Sequence, residues 1–151
     1  MKLKRRSITG LLIFFESEGM SMSYYLCSRC GAVYKEKTER CSDILCDGHV
    51  FEVDELMIMP IKVLNEKGYK TLFCCSGHID RGYCGGYIAF AIGREPATVP
   101  KGWYMDDKRC IRYDFTRKHL SGPETKYSEI LKHMVTLDKW CKELSNKNEE
   151  E

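Results

Sequence analysis

The chain has 151 residues, of which 43% are hydrophobic and 30% charged, enough apolar side chain for one domain with its own core; this excludes a disordered chain. Its 24 Lys and Arg stand against 22 Asp and Glu, and the excess comes from Lys2, Lys4, Arg5 and Arg6 against Glu16 and Glu18; 20 of each sign remain beyond them, so net charge alone does not select nucleic acid. No apolar run approaches the roughly 20 residues that cross a bilayer, and no membrane role is expected.

In chain order, residues 1–22 read as a leader. Basic residues followed by the run Ile8 to Phe15 imitate a secretion signal, yet the run passes into Glu16-Ser17-Glu18-Gly19 without a small-residue cleavage site. Codons for Glu18-Gly19 can contain GAGG, a ribosome-binding sequence upstream of Met22, so Met20 or Met22 is the expected start and the leader is given no structural role. Nine cysteines, an odd number with C-x2-C spacing, suit metal binding in a reducing compartment better than disulfides, and the expected location is cytoplasmic.

Residues 23–53 alternate short strand-like pieces at 24–26, 32–34 and 50–53 with two cysteine pairs. Cys27-x2-Cys30-Gly31 and Cys41-x4-Cys46-Asp47-Gly48 are ten residues apart, which lets two turns present four thiolates tetrahedrally to one ion. Soft, charged ligands favour zinc, and four protein ligands leave no position for a reactive water, so a structural zinc ribbon is expected. His49 competes with Cys46 for the fourth place, and Cys46 is preferred.

Residues 54–145 read as an α+β domain: a mixed sheet packed against two helices. Pro60 suits the first turn of a helix and Gly68 the position just past its end. Strands follow at 69–75 and 86–92, joined through a Ser-Gly turn, then a loop from Glu95 to Trp103 and a strand at 109–115. Gly122-Pro123 opens a last helix in which Ile130, Met134, Leu137, Cys141 and Leu144 form one stripe. His133 is expected at its surface and Asp106-Asp107 in a solvated turn. Residues 146–151 read as a flexible tail.

The turn Cys75-Ser76-Gly77-His78 is the candidate ligand loop, because small residues let a ligand approach backbone N–H groups. Cys74, Cys75, His78 and Cys84 also lie close in sequence, but Cys74 and Cys75 point to opposite faces of a strand, so buried thiols are expected rather than a second metal site. Lys108, Arg109 and Arg112, with Arg117, Lys118 and His119, gather cations beside Trp103, Tyr104 and Tyr113, a composition suited to a base and a phosphate as well as to a soluble surface.

The pattern Asp54-Glu55, a helix to Leu64-Asn65, Tyr69, Thr71, Cys75-Ser76-Gly77 and the strand Tyr87 to Ile92 resembles the wybutosine-synthesising tRNA methyltransferases over about residues 53–93. Phe73 and Cys74 stand where that family has two serines, and His78 where it has Arg; the ribbon is an addition. The resemblance implies an α+β domain, S-adenosylmethionine as methyl donor and a modified guanine in tRNA as acceptor. On that footing the Cys75 to His78 loop would contact a nucleotide or RNA, with Asp54, Tyr83, Trp103 and Arg112 bordering the pocket. A non-enzymatic adaptor or inhibitor of phage or mobile-element type, its ribbon docked on a protein partner or nucleic acid, is the alternative, and a redox sensor using Cys74 and Cys75 a third reading.

Overall fold

The structure, a computed structural model, describes residues 5–8, 11–14, 23–78, 84–115 and 122–147. Within the leader, Arg5–Ile8 (β1) and Leu11–Phe14 (β2) pair antiparallel, with Arg5 opposite Phe14.

Ser23–Cys27 (β3), Val33–Tyr34 (β4) and Val50–Asp54 (β5) form a three-stranded sheet in the order β4-β3-β5. Alternation fixes which face is buried. Leu26, Phe51 and Val53 enter the core, whereas Glu52 faces water, where its carboxylate accepts from the Ser23 hydroxyl.

A 3-10 turn at Glu55–Met57 leads into Ile58–Glu66 (α1), which begins two residues before Pro60. Proline is still tolerated there, since its missing N–H is among the first four that lack helical partners. The helix buries Ile61 and Leu64, and Gly68 beyond its end takes φ 89, a left-handed conformation in which glycine meets no Cβ clash. Asn65 then clips the exit: its side-chain N–H donates to Ile61 O and Thr71 Oγ1, both at 2.9 Å, and its oxygen accepts the Thr71 N–H at 3.1 Å.

Thr71–Cys75 (β6), Cys84–Phe90 (β7), Tyr104–Met105 (β8) and Cys110–Asp114 (β9) build a sheet in the order β6-β7-β9-β8, every pairing antiparallel. Pro123–Glu143 (α2) packs its stripe of Ile130, Met134, Leu137 and Cys141 against the α1 side of this sheet. The α+β class expected is the one adopted, with the sheet antiparallel throughout rather than mixed. One continuous core runs from Leu26 and Val53 in the ribbon through Ile61, Ile88 and Ile111 to Leu137, so the ribbon is fused to the larger sheet by shared packing.

His133 does not face water as expected. Its ring stacks on Tyr113 at 3.9 Å, meets Trp103 edge-on at 6.1 Å and contacts Glu129 at 3.0 Å. The apolar stripe widens there because a histidine with a carboxylate partner can cover aromatic rings. Asp106 is also more than solvated: Oδ1 accepts N–H bonds from Lys108 and Cys110, both at 2.9 Å, and Oδ2 lies 3.2 Å from Arg112 Nε. Of the tail, Lys147 is docked by its N–H to Lys67 O at 2.7 Å, while residues 148–151 lie outside the described residues.

Candidate functional site

The four ribbon cysteines come together. Cys27 ends β3, Cys30 lies in the turn closed by Gly31 N–H to Cys27 O at 3.0 Å, and Cys41 and Cys46 lie between β4 and β5. All four Sγ atoms lie within 4.8 Å of one another, with Cys27 to Cys46 at 3.6 Å and Cys30 to Cys41 at 3.5 Å. A tetrahedron with metal–sulfur arms of about 2.3 Å has edges near ~3.8 Å. The four cysteines could hold a metal ion such as zinc.

The surroundings suit thiolates. The amides of Ala32, Asp43 and Gly48 point at the sulfurs of Cys30, Cys41 and Cys46 respectively, each two residues behind its cysteine. The Tyr34 hydroxyl, 3.2 Å from Cys41 Sγ, and the Asp43 amide bring the Cys41 thiol down to about 7. For Cys30 the Ala32 amide pulls the same way, but lost hydration and the sulfurs of Cys41, Cys27 and Cys46 prevail, and its thiol is pushed up to about 12. One thiol ionises early and a neighbour resists a second negative charge beside it, which is the repulsion a divalent cation removes.

Gly48 is a steric requirement. A Cβ there would stand 2.4 Å from Cys27 Sγ and 2.7 Å from Arg29 Cβ, so any side chain would displace a ligand. His49 is outside the group: it is exposed, and its ring lies parallel to Phe51 at 6.0 Å. Among the described residues no other set of three or more Cys, His, Asp or Glu ligands converges. Cys75 Sγ lies 3.1 Å from His78 Nε2, a two-residue contact.

At the candidate ligand loop, Asp54, Cys75, Ser76, Gly77 and His78 do assemble. Asp54 Oδ2 accepts the Ser76 N–H at 2.8 Å, and the Tyr113 hydroxyl donates to Ser76 O. A Cβ on Gly77 (φ 123) would meet the Tyr113 hydroxyl at 2.8 Å and Ile130 at 3.2 Å; one on Gly86 would meet Cys75 O at 2.8 Å and Ser76 O at 2.9 Å. Thus the loop's small residues admit neighbouring protein. Cys75 and Ser76 are buried, and His78 is exposed. Asp54 Oδ1 is buried without a hydrogen-bond partner among the described residues. Trp103 is buried in the core, edge-on to the Tyr113 ring at 4.9 Å. Tyr83, with Arg117, Lys118 and His119, lies outside the described residues.

Arg112 belongs to a different surface. Register sets Cys75, Tyr87, Arg112 and Tyr104 in one row across β6, β7, β9 and β8, with Phe73, Ala89 and Cys110 in the next row, all on the sheet face away from the helices. A cavity of about 460 Å³ opens here, lined by Phe73, Tyr87, Ala89, Lys108, Arg109 and Arg112 among others. Phe73 is 52% exposed and meets Tyr87 edge-on at 6.3 Å. Arg109 has φ 59, the one non-glycine residue in the left-handed region among those described, where a Cβ costs about 1–2 kcal/mol. Sequence reading found these cations and set them beside Trp103, Tyr104 and Tyr113; register puts Tyr104 next to Arg112, Trp103 and Tyr113 are in the core, and the alternation of Phe73 with Cys74 and of Tyr87 with Ile88 is the signal that would have named the other two aromatics.

Comparison with protein-family models, with curated proteins and with solved structures finds no match.

Proposed function

We propose that this is a zinc-binding protein whose α+β domain binds a nucleotide or RNA. The observation that carries the zinc assignment is the convergence of four sulfurs within 4.8 Å of one another, with edges of 3.5 and 3.6 Å. Four thiolates close the coordination sphere, so the ion staples the ribbon and leaves chemistry to other residues. Nucleotide or RNA binding is supported by the cavity on the open sheet face, where the Phe73 and Tyr87 rings adjoin Lys108 and Arg109, which form no ion pair among the described residues.

The resemblance to tRNA methyltransferases adds S-adenosylmethionine as a candidate ligand. The bend that would receive it is filled by Tyr113, Ile130 and Gly86, so the proposal rests on binding and does not extend to turnover. Native mass spectrometry of the full chain purified from its own host tests the reading. One zinc ion per chain with a nucleotide or RNA carried along is the supporting result, and a metal-free chain that takes up neither zinc nor any nucleotide removes it.

A second reading, a protein-docking adaptor, is favoured by Ile44 and Leu45, which are 96% and 87% exposed on the loop between Cys41 and Cys46. The loop is held by Leu45 N–H to Asp43 Oδ1 at 3.0 Å and Cys46 N–H to Asp43 O at 2.9 Å, so the two aliphatic side chains are presented without further ordering.

A further inference from the structure

Of the surfaces described, the open face of the β6-β7-β9-β8 sheet brings together the most unused chemistry. Phe73 is half exposed although a strand's open face ordinarily carries polar side chains, and Leu72 and Ile92 beside it are exposed as well. Ala89 and Cys110 make a low floor between Phe73 and the β8–β9 turn, which gives the cavity its depth. Such a cleft offers a flat apolar wall and a shallow base.

The cations are held at one rim. Asp106 organises the turn by accepting from the Lys108 and Cys110 amides at 2.9 Å, and its own N–H bonds Cys110 O at 2.9 Å. Asp106 also neutralises Arg112. Lys108 and Arg109 are exposed and form no ion pair among the described residues. Arg109 occupies the left-handed position at which glycine would be relaxed, and it is among the residues that line the cavity. Across the sheet the Asp114 carboxylate accepts from the Tyr104 hydroxyl at 2.6 Å.

We propose that this face is a docking groove for single-stranded nucleic acid, in which an unpaired base stacks against Phe73 beside Tyr87 and the adjoining phosphates meet Lys108 and Arg109. The inference deepens the nucleotide- or RNA-binding reading, rests on it, and moves the site from the Cys75 to His78 bend onto the open face of the sheet. A base in a duplex is covered on both sides by its neighbours and has no free face to lay against Phe73, so the groove discriminates against paired strands. The chemistry, an exposed base next to a phosphodiester, is shared by RNA and single-stranded DNA.

Fluorescence anisotropy with the zinc-loaded full chain tests it, using one labelled mixed-sequence strand as single-stranded RNA, as single-stranded DNA and as an RNA duplex. The wild type is expected to bind both single strands about tenfold or more tighter than the duplex. Phe73→Leu keeps apolar cover but removes the flat ring, and is expected to weaken single-strand binding by about 5-fold to 100-fold, with Phe73→Trp restoring it. Arg109→Gly is expected to weaken binding several-fold and lower the salt slope by about one, while its thermal midpoint does not fall, because glycine relieves the left-handed turn. Loss of binding in that variant therefore cannot be laid to unfolding. Unchanged affinity in both Phe73→Leu and Arg109→Gly, with a wild type that binds RNA, would overturn the groove and leave the broader reading standing. No binding of any strand by the wild type overturns both, and a preference for the duplex overturns the single-strand assignment.

Discussion

The Asp54 carboxylate accepts the backbone N–H of Ser76 at 2.8 Å, joining the end of the ribbon's last strand to the bend that follows β6. The same carboxylate leaves Oδ1 buried and unpartnered among the described residues. Residues that sequence reading placed around a ligand thus carry a structural bond between the two sheets. Replacing Asp54 by Ala is expected to cost about 1.5–3 kcal/mol, the range for a hydrogen bond to a charged group, whereas Asp54→Asn retains an acceptor for Ser76 and loses less. Urea unfolding of the two variants measures the difference.

Lys67, just past the end of α1, donates to the carbonyls of Cys141 at 2.9 Å and Lys142 at 2.8 Å in the last turn of α2. An ammonium there satisfies carbonyls without helical partners and sits at the negative end of the helix dipole. Lys67→Met keeps the aliphatic stem and removes the charge. It is expected to lower stability by about 1 kcal/mol and to loosen residues 141–147 in hydrogen exchange.

Burial pushes the Cys141 thiol from 9.0 up to about 12, with Asp138 adding to the rise and Lys67 opposing it. The unfolded thiol releases its proton near pH 9 and the folded one only near 12, so the unfolded state binds fewer protons in between and stability falls as pH rises through that window. Below pH 9 the contribution is complete. Cys141→Ala is expected to be less stable at neutral pH because of the cavity it leaves, yet to lose stability less steeply between pH 9 and 12, by up to about 1.4 kcal/mol per pH unit. Denaturant midpoints across that range check the slope.

Gly48→Ala is the sharpest steric probe of the metal centre, since the added methyl would lie 2.4 Å from Cys27 Sγ. The backbone of Arg29, 3.1 Å away, blocks the other direction. Metal affinity is expected to fall at least tenfold, with a lower unfolding midpoint, as ligand displacement is a loss of folding energy in such ribbons. Competition with a chromogenic chelator reads the affinity directly.

Much of this was legible beforehand for a physical reason. Metal ligands must recur at short, fixed spacings, and a docked helix must repeat its apolar residues, so Cys27 to Cys46 and Ile130 to Cys141 announce themselves locally. His133 did not, because the Tyr113 ring it covers comes from another element, the strand before α2, and its side chain alone reads as polar. The same holds for the bend: Gly77 and Gly86 are open to a ligand or to protein on equal terms in sequence, and only the arrival of Tyr113 and Ile130 decides for protein. Arg109 shows the converse, since a left-handed arginine cannot be read from its neighbours.

The central claim is the four-thiolate zinc centre, and X-ray absorption at the zinc edge of the purified full chain tests it most directly. One zinc ion with a single shell of four sulfurs at about 2.3 Å is the expected spectrum. A shell containing an imidazole nitrogen would put His49 in place of Cys46, and a chain that holds no zinc while all four ribbon thiols react freely would contradict the centre altogether.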